Sequence, residues 1–111
     1  MSINIIEISV ADAEAAKNRA ATAVQFEADT EEAAYRRYTA AAAAESAAWW
    51  MAHSNKIRTW GDGDAAKLLK ALATHANDLR AEWRESESRL ALRRREYRTA
   101  AARWLDLLGQ I

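Results

Sequence analysis

Residues 60–64 read Trp60-Gly61-Asp62-Gly63-Asp64 and contain two of the three glycines of this 111-residue chain, which has no proline. Glycine and proline are the strongest breakers of regular structure. The residues on both sides are rich in alanine, arginine, glutamate and leucine, which favour helices. The stretch therefore predicts the turn of an all-α, antiparallel two-helix hairpin. We expect the first helix over residues 10–58, the turn over 59–64 and the second helix over 64–108.

The two ends of the chain differ from these helical segments. Isoleucines alternate with polar residues over the first nine positions, a period typical of extended backbone. We therefore expect a short extended arm over residues 1–9, with Ser9 capping the first helix. Gly109 follows two leucines, where a glycine commonly ends a helix. Residues 10–111 then form one helical domain.

The composition excludes several classes of function. The 16 basic and 16 acidic residues balance, so no overall charge attracts the chain to nucleic acid or to an anionic membrane. Without cysteine, the chain forms neither disulfides nor thiolate metal sites. No apolar run approaches the roughly 20 residues of a membrane span, and the first ten residues lack the pattern of a signal peptide. We expect a cytoplasmic protein that does not enter a membrane.

The second helix carries a seven-residue repeat of mostly apolar side chains. The repeat consists of two rows of six positions, and each position of the second row lies three residues after one of the first. Clear polar interruptions occur only at Ser86 and Arg93. Such a repeat predicts a coiled-coil-like packing face. The rows are Leu69, Ala76, Trp83, Leu90, Tyr97 and Trp104, and Leu72, Leu79, Ser86, Arg93, Ala100 and Leu107.

The first helix shows a different period. Its larger apolar residues recur every 11 positions, which is close to three full turns of helix. This period predicts a nearly straight apolar stripe. The residues are Val24, Tyr35 and Ile57 on one ladder, and Tyr38, Trp49 and Trp60 on the other.

Folding the helices back about Asp62 pairs large residues with small ones. Trp83 is expected opposite Ala40–Ala44, and Trp104 opposite Ala20 and Ala21. Charge favours the same arrangement, because residues 1–34 carry seven acids and two bases whereas residues 80–103 carry eight arginines and four glutamates. The expected contacts join Glu27, Asp29, Glu31 and Glu32 to Arg93, Arg94 and Arg95, and Arg36 and Arg37 to Glu85 and Glu87.

One hairpin cannot bury all of this apolar surface. Trp49 and Trp50 are adjacent, so they point about 100° apart on a helix and cannot face the same partner. Leu105, Leu107 and Leu108 widen the apolar stripe in the same way. The surplus predicts further helices, and the simplest source is a second copy of the chain. We expect a homodimer that forms a four-helix bundle.

The polar residues predict no catalytic site, no metal site and no cofactor. His53 and His75 lie near the turn, but the Glu-x-x-His and His-Glu-x-x-His patterns of metal-binding helices are missing. Ser86 and Ser88 have no glycine-rich elbow around them. The Gly-Asp repeat of the turn lacks the lysine of a phosphate-binding loop. We therefore expect that the protein is not an enzyme.

Tryptophan and arginine are the residues most typical of binding hot spots, and this chain has five tryptophans and a run of three arginines. We predict a non-enzymatic protein–protein interaction module that acts through the surface of its helical hairpin. We expect an adaptor, an assembly factor or a small inhibitor, of the phage or mobile-element type. The candidate partner-binding residues are Trp49, Trp50, Met51, Trp60, Arg93, Arg94 and Arg95.

The arginine run supports an alternative function. Arg93, Arg94 and Arg95 lie close to the aromatic Tyr97, and arginines interleaved with aromatic residues bind phosphates and stack on bases. Pairing with the acids of the first helix is the competing interpretation. A nucleic-acid-binding helical protein is therefore the less favoured alternative.

A second alternative rests on the turn. The two-helix plan with Trp60-Gly61 between the helices resembles the WXG family of secreted helical hairpins, and this resemblance implies export from the cell. The family pattern is Trp-x-Gly, whereas here glycines follow the tryptophan at one and three positions. The family's carboxy-terminal Tyr-x-x-x-Asp/Glu signal is also missing, since Ala101 lies four residues after Tyr97.

Overall fold

The computed structural model describes residues 2–53 and 62–111, with side chains over 7–53 and 63–111. Two helices make up this part of the chain, α1 over Ser2–His53 and α2 over Asp62–Leu108. Contacts divide it into two compact units: the terminal unit, Met1–Thr30 with Glu87–Ile111, and the central unit, Glu31–Ser86. Each unit pairs a segment of α1 with an antiparallel segment of α2, which confirms the all-α two-helix hairpin.

Helix α1 begins earlier than expected. Residues 2–9 are helical rather than an extended arm. These positions hold neither glycine nor proline, and each branched isoleucine costs less than about 1 kcal/mol of helix propensity. Adding residues to an existing helix needs no new nucleation. The alternation of apolar and polar side chains is therefore too weak a signal to interrupt α1.

Half of the expected turn, residues 59–61, lies outside the described residues, and the other half, residues 62–64, is helical rather than a turn. Helix α2 already begins at Asp62, two residues before the start expected from the sequence. Residues 54–61, which include the rest of the expected turn and the expected end of the first helix, lie outside the described part of the chain.

The carboxy-terminal end of α2 lies where the sequence predicts it. The helix ends at Leu108, directly before Gly109. The Gly109 amide donates to the Leu105 carbonyl at 3.0 Å, and the Gln110 amide donates to the Leu107 carbonyl at 3.1 Å. No described glycine has a positive φ, so the helix ends without a left-handed cap, in the tighter i→i−3 hydrogen bonds that the Gln110 and Ile111 amides donate.

The seven-residue repeat of α2 is confirmed as its packing face. All twelve positions of the two rows are buried or half-buried except Tyr97, which is exposed at its margin. The rows contribute Trp83 and Ser86 to the central unit, and Leu90 and Arg93 to the terminal unit. Apolar periodicity alone thus identifies the side of α2 that faces α1.

The packing face of α1 also has a seven-residue period, and the 11-residue prediction holds only in part, because Val24 and Tyr38 of the predicted ladders are half-buried. Tyr35 and Trp49, which belong to the predicted ladders, are exposed. Small side chains at a helix contact let the two axes approach closely, and bulky rings are then pushed to the margins of the contact. The buried and half-buried row is Ala13, Ala20, Glu27, Ala34, Ala41 and Ala48.

The helices of the central unit pair in a different register from the one expected. Trp83 contacts Glu31, Tyr35 and Tyr38 of α1 rather than the Ala40–Ala44 run. The partners of Trp83 are therefore displaced toward the amino-terminal end of α1. The expectation assumed that the chain folds back at Asp62, whereas that residue already belongs to α2.

Trp104 of the terminal unit shows the same direction of displacement. The ammonium nitrogen of Lys17 lies 3.8 Å from the centroid of the Trp104 indole, whereas the sequence places Ala20 and Ala21 there. A lysine over an indole face is attracted by the ring quadrupole. This contact allows a charged residue to occupy the margin of an otherwise alanine-rich seam.

The expected charge pairs form only in part. Glu27 is buried in the alanine row, and its carboxylate oxygens lie 3.4 Å from Arg89 Nε and 3.9 Å from Arg93 Nε. A buried carboxylate requires such partners, because its desolvation is costly. Several of the other expected residues pair elsewhere: Glu31 with Trp83, Asp29 with Gln25, Glu32 with Arg36, and Arg37 with Glu82.

Candidate functional site

Three of the predicted partner-binding residues lie together near the end of α1, in the central unit. Trp49, Trp50 and Met51 are all exposed, and Trp50 keeps 67% of its accessible surface. The two indoles meet edge to face, with ring centroids 5.2 Å apart. Together these three residues form the tryptophan surface. Trp60, which was predicted to join them, lies outside the described residues.

His53 supports the tryptophan surface from the following turn of α1. Its imidazole stacks on the Trp49 indole with ring centroids 4.1 Å apart, and its Nδ1 lies 2.8 Å from the Trp49 carbonyl oxygen. A ring already held in one orientation loses less conformational entropy when a partner binds. Over the described residues, no group of three His, Asp or Glu side chains is arranged to hold a metal ion.

The segment of α1 that carries the tryptophan surface is nearly uncharged. From residue 39 to residue 52, Glu45 is the only charged side chain. The cores of protein interfaces are depleted in charged residues and enriched in tryptophan and methionine. The composition and the exposure of this segment therefore agree with a surface that contacts another protein.

Trp83 has a structural position, in contrast to Trp49 and Trp50. It is half-buried, its ring stacks on Tyr38 with centroids 5.6 Å apart, and Tyr35 packs against it at 5.1 Å. The indole N–H donates to Glu31 Oε1 at 2.8 Å. The sequence did not reveal this bond, because its residues are 52 positions apart and Glu31 was expected near the arginines.

The hydrogen bond of Trp83 gives a testable difference between two tryptophans. Trp104 is also half-buried, but its indole N–H is buried without a hydrogen-bond partner in the described part of the chain. Both Trp→Phe substitutions remove the same ring atoms, whereas only Trp83→Phe removes a bond to a carboxylate. We expect Trp83→Phe to destabilise the protein by about 1 kcal/mol more than Trp104→Phe, as measured by urea unfolding. Equal losses would contradict this role for Glu31.

The structure separates the three arginines that the sequence placed together. Arg93 is half-buried and lies 3.1 Å from Glu96 and 3.9 Å from Glu27. Arg94 and Arg95 are exposed, and neither forms an ion pair with a described residue. Internal pairing therefore accounts for Arg93 alone, and nucleic-acid binding through the other two stays a prediction.

Comparisons with protein-family models, with curated proteins and with solved structures find no match to this chain. The resemblance to the WXG family stays a prediction, and Trp60-Gly61, on which it rests, lies outside the described residues. Over the residues that the structure describes, neither helix contains a stretch long and apolar enough to cross a membrane.

Proposed function

We propose that this protein is a non-enzymatic protein–protein interaction module that acts in the cytoplasm through the tryptophan surface. Adaptor, assembly factor and small inhibitor are the roles that fit such a module. The observation that carries the proposal is the exposure of two adjacent indoles and a methionine on a nearly uncharged helix segment. Large exposed apolar patches on a soluble protein usually mark sites of interaction.

The energetics of tryptophan support this proposal. An indole buries a large area on binding and has only two side-chain torsions to restrict. Residues of this kind account for most of the binding energy at many protein interfaces. At Trp49 the stacked His53 ring restricts the side chain further before any partner arrives. The tryptophan surface therefore has the area and the preorganisation that a binding site needs.

The first partner in this proposal is a second copy of the chain. A two-fold dimer brings the same patch of both subunits together, so the surface must be complementary to a second copy of itself. Neutral aromatic side chains satisfy that condition, because two copies meet without like-charge repulsion. The resulting homodimer is a four-helix bundle, and any further partner then binds to its outer faces.

Replacing Trp50 by Ala is expected to weaken self-association without reducing helicity. Truncating an interface tryptophan commonly costs at least about 2 kcal/mol, or more than tenfold in affinity. The measurement is light scattering behind a sizing column at several protein concentrations, with circular dichroism as the check on helicity. The matched control is Phe26→Ala, because Phe26 has 68% of its surface exposed, against 67% for Trp50, but belongs to the terminal unit.

The outcomes separate three cases. A dimer that Trp50→Ala dissociates and Phe26→Ala leaves intact supports the proposal in full. A monomeric wild-type protein would contradict the dimer and leave the tryptophan surface for a different chain. A dimer that both variants weaken equally would show that general hydrophobicity, rather than this surface, drives association.

A further inference from the structure

A groove lies between α1 and α2 within the terminal unit. Its volume is about 590 Å³, which falls within the roughly 300–1,000 Å³ of small-molecule sites. Both helices contribute to its walls, with residues 12–19 of α1 facing residues 95–103 of α2. The groove belongs to a different unit from the tryptophan surface, so a ligand bound in it does not depend on the proposed function.

Small side chains on both helices create this groove. Ala13 and Ala16 line it from α1, and Thr99 and Ala100 line it from α2. The long stems of the neighbouring arginines form the sides, since arginine covers apolar surface with its methylene groups and keeps its charged end near solvent. The groove thus has an apolar floor and a charged rim.

The rim carries more positive than negative charge. Arg19, Arg95 and Arg103 line the groove, and none of them forms an ion pair with a described residue. Two acids also line it, but the Glu96 carboxylate is engaged by Arg93 at 3.1 Å. Three guanidinium groups are therefore balanced by one carboxylate, that of Asp12, which forms no ion pair with a described residue. The surplus makes the groove attractive to an anion.

The antiparallel pairing orders these charges along the groove. Arg19 lies seven residues after Asp12 on α1, and Arg95 lies eight residues before Arg103 on α2. At 1.5 Å per residue these separations correspond to about 10–12 Å along each helix. Since the helices run in opposite directions and Trp104 contacts Lys17, Arg95 lies toward one end of the groove and Asp12 toward the other, with Arg19 and Arg103 between them.

We propose that this groove binds a small organic phosphate. Arg19 and Arg95 hold the phosphate from the two helices, because the planar guanidinium matches phosphate oxygens in paired hydrogen bonds. The organic part of the ligand lies on the alanine floor, and Asp12 accepts a hydrogen bond from a hydroxyl or amine at the far end. The volume of the groove exceeds what the anion alone requires, which favours an organic phosphate over the free ion.

A nucleic-acid strand fits the groove less well. Phosphates repeat along such a strand, and Asp12 at the second end repels the next one. The length of about 10–12 Å given by the helical rise suits one compact molecule. The rim thus favours a single anionic group over a polyanion.

The test follows the amide and arginine side-chain resonances by nuclear magnetic resonance during titration with phenyl phosphate, adenosine monophosphate and glucose 6-phosphate. Phenol and adenosine serve as phosphate-free controls, and inorganic phosphate as the control without an organic part. At least one organic phosphate is expected to shift Ala16, Thr99 and Ala100 with millimolar or tighter affinity. If none of the three organic phosphates shifts these resonances at a ligand concentration of about 10 mM, where even weak binding is visible, the proposal is overturned.

A pair of neighbouring variants separates the groove from general electrostatic attraction. Arg95→Gln is expected to weaken binding about tenfold, because it removes a charge-assisted contact. Arg94→Gln removes the same charge from an exposed residue that does not line the groove, so affinity stays unchanged. Circular dichroism verifies that both variants are folded. Equal weakening by the two variants overturns the proposal, and so does a single-stranded oligonucleotide that binds more tightly than the small phosphates and depends on both arginines.

Discussion

Replacing Leu90 by Ala is expected to lower the free energy of unfolding by about 2–5 kcal/mol, the range typical of buried leucines. Leu90 has 6% of its surface exposed and is the one large aliphatic side chain that is buried among the described residues. On the packing face of α2 its adjacent positions are Ser86, which is buried, and Arg93, which is half-buried, and neither is an apolar side chain that could fill the space left by the truncation. Most of the cavity therefore remains, and the substitution has nearly its full destabilising effect.

The measurement is unfolding by urea, followed by circular dichroism. Leu92→Ala is the matched control, because Leu92 lies two residues away on α2 but keeps 45% of its surface exposed. The two substitutions have the same intrinsic effect on helix propensity, so the difference between them reports burial. A loss below about 1 kcal/mol for Leu90→Ala would show that the terminal unit is not held together at this position.

Replacing Ala34 by Leu is expected to destabilise the protein by about 1–3 kcal/mol, through overpacking. Ala34 has 2% of its surface exposed. It lies three residues after Glu31 and four before Tyr38, both of which contact Trp83, so it occupies the same face of α1. A leucine there has no free space and must displace the Trp83 ring or separate the helices.

Ala33→Leu provides the control for this substitution. Ala33 is adjacent to Ala34 but exposed, and leucine is nearly as good a helix former as alanine. The free energy of unfolding of the Ala33→Leu variant is therefore expected to stay within about 0.5 kcal/mol of the wild-type value. Unfolding by urea gives both free energies. Tryptophan fluorescence gives a second signal, because displacement of Trp83 changes its surroundings only in the Ala34 variant. If the two variants are equally stable, the alanine row does not set the distance between the helices.

Much of the fold could be predicted from local properties of the sequence. Two glycines at the midpoint, one near the end and no proline delimit two long helices. The repeat from Leu69 to Leu107 identifies the packing face of α2, since large apolar side chains mark that face directly. Both features depend on residues within one helix, where spacing and propensity decide the outcome.

The packing face of α1 could not be predicted in the same way. Its buried row is mostly alanine, and the chain has alanines on every side of this helix. Alanine favours a helix strongly but carries little hydrophobic contrast, so its periodicity is hard to recognise. The aromatic residues of α1 gave a mixed signal, because Tyr38 is half-buried against Trp83 whereas Tyr35 and Trp49 are exposed.

The two candidate sites differ in the same way in how far the sequence predicts them. Exposure of Trp49, Trp50 and Met51 agrees with their selection as partner-binding residues. The sequence does not predict the groove, because Arg19 lies in a segment with an excess of acids, which predicts charge pairing between the helices. Only the pairing of the helices brings Arg19 and Arg95, 76 positions apart in the sequence, to one surface.

The sequence by itself determined that this protein is two helices joined near its midpoint, and which side of α2 is buried. The tertiary structure alone decided the register of the helices, the buried position of Glu27, the bond between Trp83 and Glu31, and the groove of the terminal unit. Helix formation depends on residues within a few turns, which the sequence displays. Register depends on how side chains of two distant segments fit together, and a one-turn shift exchanges every partner across the contact while leaving each helix unchanged.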